Sequence, residues 1–548
     1  MNTAITNIAD TLRQRAADAP DRIAMRVPGR GDYAVSLSYA ELDARSDAIA
    51  AGLLARGIQR GSRCVVMVRP TPEFFLLMFA LFRLGAVPVL VDPGIDKRAL
   101  RQCLDEAQPH AFIGIPLAML ARKLLGWAKT AKLGITTGTR AWFADTTLAA
   151  IEQAGRDAPR EFGRTEGEDI AAILFTSGST GVPKGVVYRH RHFIAQIEML
   201  RKAFAIEAGG VDLPTFPPFA LFDPALGLTS IIPDMEPTRP ASADPRKLHA
   251  AIKRFGVTQL FGSPALMRVL AEHGEPLPGV QLATSAGAPV PPEVVAKMLE
   301  LLPDGAKLWT PYGATECLPV AVIEGRELLE LRQRTEQGAG TCVGRPVAGN
   351  AVRIIAINDA AIADWRDAEP VAAGIVGEIT VAGPSATDAY FNRDEQTRLS
   401  KINETLADGD TRVVHRMGDL GWFDGEGRLW FCGRKSQRVL IDALTTLCTE
   451  QIEPVFNTHP DVARSALVGV ARVAANSALP SKRGDGGQEP VLCIELADGV
   501  AAAEWPRIER ELRQMADGYV HTAKVERFVR YPGKFPVDIR HNAKIGRE

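Results

Sequence analysis

Apolar residues in the first half of the chain follow two rhythms. Ile8–Ala17 and Tyr39–Leu54 repeat with helical spacing, and Ser38 precedes the second stretch with Glu41 three residues on, the arrangement of a capping box. Cys64–Val68 is an unbroken apolar run of strand length. A helical stretch around Glu73–Leu84 follows, then a second run at Val87–Val91. Strand, helix, strand predicts parallel βαβ packing. The pattern recurs at Ala111–Ile115, Ala171–Phe175, Thr258–Phe261 and Gln281–Thr284, which predicts a large α/β protein.

From about residue 345 the texture changes. Val352–Ile357, Gly377–Val381 and Arg428–Phe431 read as short strands separated by turns, a β-rich lobe spanning 345–433. The last stretch predicts a small α+β unit. It has helices at Glu450–Asn457 and Trp505–Met515, and strands at Ser465–Val470, Val491–Leu496 and Val525–Val529. The polar, glycine-containing segment Asn476–Pro490 is expected to be a mobile loop.

A chain of 548 residues is too long for one core, so two to four domains or lobes are expected. The most apolar stretch, Phe74–Val91, is interrupted by Arg83, Gly85 and Pro88, so it reads as a buried helix followed by a strand rather than a membrane span. The amino-terminal ten residues lack the basic segment and apolar core of a signal peptide. A net charge of -1 gives no global electrostatic case for nucleic acid or an anionic membrane. Seven cysteines are scattered without C-x-x-C or zinc spacing, so the expectation is reduced thiols in a cytoplasmic protein.

The candidate chemistry centres on Ile173–Val187, two apolar runs flanking a polar glycine-rich loop. Thr176, Ser177, Ser179 and Thr180 supply four hydroxyls within five residues, and Gly178, Gly181 and Gly185 let the backbone approach a ligand. Such a loop presents amides and hydroxyls to phosphate oxygens, with Lys184 as a point charge. It is not the common P-loop, which needs Gly before its Lys; Pro183 stands there.

This loop, Thr-Ser-Gly-Ser-Thr-Gly-x-Pro-Lys-Gly, resembles the phosphate-binding loop of the adenylate-forming superfamily, which includes acyl-CoA synthetases, luciferases and peptide-synthetase adenylation domains. Later motifs extend the resemblance through most of the chain. Ser285–Pro289 resembles the segment that runs along adenine, implying nucleotide contacts from Gly287, Ala288 and Pro289. Tyr312, Gly313, Thr315 and Glu316 match Tyr-Gly-x-Thr-Glu. There the resemblance implies Tyr312 stacking on adenine, Thr315 donating to the α-phosphate, and Glu316 as a hard oxygen ligand for Mg²⁺. Met417–Asp424 resembles Gly-Asp-x-Gly, with Asp419 accepting from the ribose hydroxyls. Arg434 is placed on the ribose, and either Ser436 or Gln437 at an interdomain hinge. Lys544, preceded by Ala543 where the family has Gly, matches the adenylation lysine.

The organisation implied is a large amino-terminal adenylation domain over 1–433 and a small mobile lid over 434–548, hinged near 434–437. ATP and Mg²⁺ would serve attack of a carboxylate on the α-phosphorus, giving an acyl-adenylate. Positioning and cation stabilisation carry such a reaction between anions.

Three fates compete for the adenylate: a CoA thiol, a carrier-protein thiol, or a hydroxyl of the substrate itself. Phe216–Leu228 is apolar, aromatic and broken by three prolines, and can line a cavity. It holds none of the histidines many family members carry there, which favours an apolar substrate. The Asp442–Glu450 segment has no glycine where CoA ligases shape a pantetheine tunnel. With Val91–Ile95, these features make the chain most similar to the β-lactone synthetases of long-chain olefin biosynthesis. That group activates a 2-alkyl-3-hydroxy fatty acid and is associated with other enzymes of its pathway. The alternative is a long-chain acyl-CoA or acyl-AMP ligase. A nucleotide binder without turnover is opposed by Lys184, Glu316, Asp419 and Lys544, and a kinase leaves the Tyr312–Glu316 motif unexplained. No general base for ring closure is identified; Arg189–His192 reads as the solvated start of a helix.

Overall fold

The computed structural model describes residues 5–29, 32–92, 95–176, 183–442, 444–472, 487–536 and 545–547. Two large sheets pack around shared helices. One has seven strands, in the order Thr146–Thr147, Leu133–Thr136, Ala111–Gly114, Arg63–Met67, Val87–Val91, Ile170–Thr176 and Lys184–Arg189. Every pairing in it is parallel except the last, Ile170–Thr176 with Lys184–Arg189. The antiparallel turn-back brings Lys184 opposite Thr176, so both ends of the glycine-rich loop meet at one rim of the sheet. Residues 177–182 lie outside the described set.

The second sheet has fourteen strands and changes character along its length. Its first half pairs Ile23–Val27, Thr229–Ile231, Val211–Pro214, Gln259–Gly262, Leu282–Ser285 and Lys307–Ala314 in parallel. At Lys307–Ala314 it turns antiparallel, through Cys317–Glu324 and Thr341–Pro346, into the β-rich region of Leu429–Arg434, Thr411–Phe423, Gly377–Ala382 and Ala351–Ile355. The β-rich part read from the sequence is therefore continuous with the parallel sheet, and the switch lies at the Tyr312–Glu316 motif.

The Pro72–Leu84 helix lies deep in the main core, with Phe74 to Leu84 all buried. This explains why its sequence is apolar on every side from Phe74 to Phe82, while the buried Arg83 pairs with Asp43 and Asp47. It begins with Pro at its first turn and ends at Gly85, which takes the left-handed conformation (φ 62°). The capping box at Ser38 and Glu41 forms as expected on the Tyr39–Leu54 helix. That helix packs so closely on Leu148–Gly155 that a β-carbon on Gly52 would stand 2.1 Å from the Ile151 carbonyl oxygen.

The final unit contains a three-stranded sheet of Val462–Ala471, Gln488–Leu496 and Arg527–Arg530, with the Thr449–Phe456 and Trp505–Ala516 helices packed on its own apolar cluster. All seven cysteines are free thiols. Among the described residues no helix is long and apolar enough to cross a membrane.

Candidate active site

The turn between Lys307–Ala314 and Cys317–Glu324 carries the most chemistry. Tyr312 lies near the end of the first strand, with Thr315 and Glu316 in the turn. The Tyr312 hydroxyl donates to Asp419 Oδ2 at 2.6 Å, and Arg434 Nη1 lies 3.1 Å from Asp419 Oδ1. Asp419 and Arg434 face one another because their strands pair at that register. This unites three of the residues expected around the nucleoside. Asp419 is 3% exposed. Its charge raises the pKa of Arg434 further, so the guanidinium stays a cation. Burial, reinforced by Asp419, pushes the Tyr312 phenol well above its usual range, keeping it a donor.

Glu316 is held from two sides. Its backbone oxygen accepts from the Thr387 amide and hydroxyl, each at 2.9 Å. Its carboxylate Oε1 accepts from the Tyr390 hydroxyl at 2.7 Å. The Thr315 carbonyl accepts from the Tyr188 hydroxyl at 2.5 Å. Lys184 Nζ stands 5.1 Å from the centre of the Tyr390 ring, a cation–π contact. Desolvation lowers the Lys184 pKa and the Glu316 charge opposes that fall, so the two groups sense each other. The Lys401 amine also sits near the Tyr390 ring, 5.9 Å from its centre, and donates to the Thr387 carbonyl. Burial lowers the Lys401 pKa to about 8.

This donor set fits a hard divalent cation shared with phosphates. Tyr390 holds Oε1 of the Glu316 carboxylate, which would be the oxygen ligand of such a cation, and Lys184 approaches the same tyrosine ring from the loop side. Gly287, at φ +105°, lies just beyond Leu282–Ser285, with Ala288 and Pro289 in the same turn. Thr176 closes its strand next to the loop. Ser177, Gly178, Ser179, Thr180, Gly181 and Lys544 lie outside the described residues.

Tyr188, Thr387, Tyr390 and Lys401 escaped the sequence reading. They sit beyond any recognisable spacing, and the signal was a lone tyrosine in the irregular stretch Asp388–Asn392. One expectation is corrected. A helix does begin at His190, but it is not solvated there: His190 and His192 are both 0% exposed. Burial lowers their pKa values to about 4 and about 3. Nδ1 of His192 accepts from the Arg189 amide at 2.9 Å, so this neutral ring caps its own helix. The Phe216–Leu228 segment forms a 3₁₀ turn at Pro217–Leu221 and a short helix at Asp223–Leu226. Phe222, Ala225 and Leu226 are buried while Phe216 and Phe219 are partly open, their rings 5.1 Å apart.

Comparison with known proteins identifies the family. The family model described as AMP-binding enzyme matches residues 12–391. The chain is 66% identical over its whole length to the olefin β-lactone synthetase of Xanthomonas campestris pv. campestris, covering 97% of that protein. It is 65% identical over 99% of its length to the enzyme of the same name from Stenotrophomonas maltophilia, covering 97% of it. The fold matches the amide bond synthetase McbA from Marinactinospora thermotolerans, with a TM-score of 0.75 over 98% of each chain at 22% identity. O-succinylbenzoate coenzyme A synthetase from Bacillus subtilis matches with a TM-score of 0.73, over 99% of this chain and 100% of that one, at 20% identity. With its switch from parallel to antiparallel sheet at the Tyr312–Glu316 turn and a family match over most of its length, this chain belongs to the AMP-binding enzymes.

Proposed function

We propose that the enzyme activates a long-chain 2-alkyl-3-hydroxy fatty acid with ATP as an acyl-adenylate, releasing pyrophosphate, then closes it to a β-lactone with departure of AMP. The observation that carries this reading is identity of about two thirds, over the full length, to proteins named olefin β-lactone synthetase. The lactone forms when the substrate's 3-hydroxyl attacks its own activated carbonyl. Nucleophile and electrophile are already one molecule, so holding them in attack geometry replaces a second substrate.

In this reading Tyr312, Asp419 and Arg434 hold the nucleoside, with Gly287, Ala288 and Pro289 along the base. Thr176, the 177–181 loop and Lys184 hold the phosphates. Thr315 and Lys544 address the reacting centre. A bound Mg²⁺ would neutralise phosphate charge, and Glu316 is the residue that would hold it. The buried, partly aromatic Phe216–Leu228 segment suits an apolar chain and keeps water from the adenylate. We further propose that 1–433 and 434–548 move as two domains. Lys435 is tied to Glu378 at 2.9 Å, so rotation about Ser436 and Gln437 leaves that tie intact. The product suits a sequence in which other enzymes supply the hydroxy acid and decarboxylate the lactone.

The test is incubation with ATP, Mg²⁺ and a synthetic 2-alkyl-3-hydroxy acid, with and without CoA, followed by NMR at low temperature because a β-lactone loses CO₂ on heating. β-Lactone with AMP in the absence of CoA is expected. A thioester formed only when CoA is present would replace this reading with an acyl-CoA ligase.

A further inference from the structure

The net charge of the chain is -1, yet residues 115–144 hold Arg122, Lys123, Lys129, Lys132 and Arg140 with no Asp or Glu. This segment forms the Pro116–Leu125 helix, the Leu133–Thr136 strand and the loop that follows, at the outer end of the seven-stranded sheet. The helix buries Ala118 and Met119 against Phe112 and leaves its other side uncovered. Leu117 is 68% exposed, Leu124 73% and Leu125 46%.

The 137–144 loop runs beside that helix. At one end a β-carbon on Gly138 would stand 2.6 Å from Pro116 Cγ. At the other, Lys123 Nζ lies 5.1 Å from the centre of the Phe143 ring. The loop adds Trp142, 64% exposed, and Phe143, 46% exposed. A single exposed leucine is ordinary; three leucines, a tryptophan and a phenylalanine on one face are not. The nearby Trp127 shows the ordinary fate, since it is 8% exposed within the core.

The charges around this face point outward. Arg122 is the exception, donating to the Ala131 carbonyl at 2.5 Å. Lys123, Lys129, Lys132 and Arg140 are exposed, and among the described residues none has a carboxylate within ion-pair distance. Asp145, the next acid along the chain, accepts from the Gly134 amide at 2.7 Å.

We propose that this face, the Pro116–Leu125 helix with the 137–144 loop, docks the protein on an anionic lipid surface. Leu117, Leu124, Leu125, Trp142 and Phe143 enter the boundary between headgroups and acyl chains, and the four exposed cations meet lipid phosphates. Leucine with aromatic rings below and long-stemmed basic residues at the rim is the composition of an interfacial segment. The charge complementarity selects anionic lipid over a neutral bilayer. The docking holds whichever acid the enzyme activates, and its test does not depend on turnover.

The experiment is co-sedimentation of the full-length protein with vesicles of phosphatidylcholine alone, or with about a quarter phosphatidylglycerol. Binding is expected to the anionic vesicles and to fall as salt screens the cations. Lys123→Glu with Arg140→Glu should lower partitioning about fivefold or more for each site. Leu124→Asp with Trp142→Asp should lower it at least about tenfold at unchanged phosphatidylglycerol content. All four side chains are exposed, so melting temperatures should match the unsubstituted protein. Equal binding to neutral vesicles, or undiminished binding by the Leu124/Trp142 variant, would overturn the proposal. So would an absence of vesicle binding combined with self-association, or with capture of an acidic protein, that the same substitutions abolish.

Discussion

Tyr390→Phe probes the hydrogen bond to Glu316, together with the contact the same hydroxyl makes with the Ser400 side chain. The substitution removes the hydroxyl that donates to Glu316 Oε1 at 2.7 Å and keeps the ring that Lys184 and Lys401 approach at 5.1 and 5.9 Å. A hydrogen bond to a charged group contributes about 1.5–3 kcal/mol, or about 10–150-fold in an equilibrium or rate. Glu316 is half-buried, so water can replace part of the lost donor and the lower end applies. The carboxylate then loses its fixed orientation rather than its charge. The expected result is a fall of about tenfold in kcat/KM for adenylation, read by ATP–pyrophosphate exchange and partly recovered at high Mg²⁺. Stability should change by no more than about 1 kcal/mol, because no cavity is made and the freed oxygen can be hydrated. Unchanged exchange kinetics, or a loss that is the same at every Mg²⁺ concentration, would refute the argument that Tyr390 orients Glu316.

Three further outcomes follow from buried charges. The folded Lys401 amine titrates at about 8 and an unfolded lysine near 10.5, so between those values the unfolded chain holds more protons. Stability therefore gains from this group as pH rises through that window, by about 3 kcal/mol at most. Lys401→Met should lose that slope when denaturant unfolding of the two proteins is compared from pH 7 to 10.5. Glu378 is 1% exposed between Arg416 at 2.6 Å and Lys435 at 2.9 Å. Glu378→Gln strands two cations, and urea denaturation should record a loss of about 3–5 kcal/mol. Asp419→Asn removes the anion shared by Tyr312 and Arg434. Calorimetric titration should show AMP affinity falling by about tenfold or more, with a smaller effect on melting than Glu378→Gln.

Much of this protein was readable from local pattern. The capping box at Ser38, the apolar Phe74–Phe82 stretch of the Pro72–Leu84 helix and the βαβ succession depend on neighbours within a few residues, so spacing reports them, and the Tyr312–Glu316 motif was legible through its resemblance to a family motif. The parallel sheet turning into the β-rich region was legible as a change of texture, though not as one continuous sheet, because strand pairing joins distant segments. What surrounds Glu316 came only with the tertiary structure. Tyr188, Thr387, Tyr390 and Lys401 are separated from it by 71 residues or more along the chain in the pairs measured from Tyr188, Thr387 and Tyr390, and carry no periodic signal. The same holds for His190 and His192. Their charged neighbours Arg189 and Arg191 gave the segment a solvated look, while the fold turned the two imidazoles into the core and the arginines toward Asp388. Sequence pattern determines which backbone forms; burial and long-range register decide which side chain meets which charge, and so which groups can act.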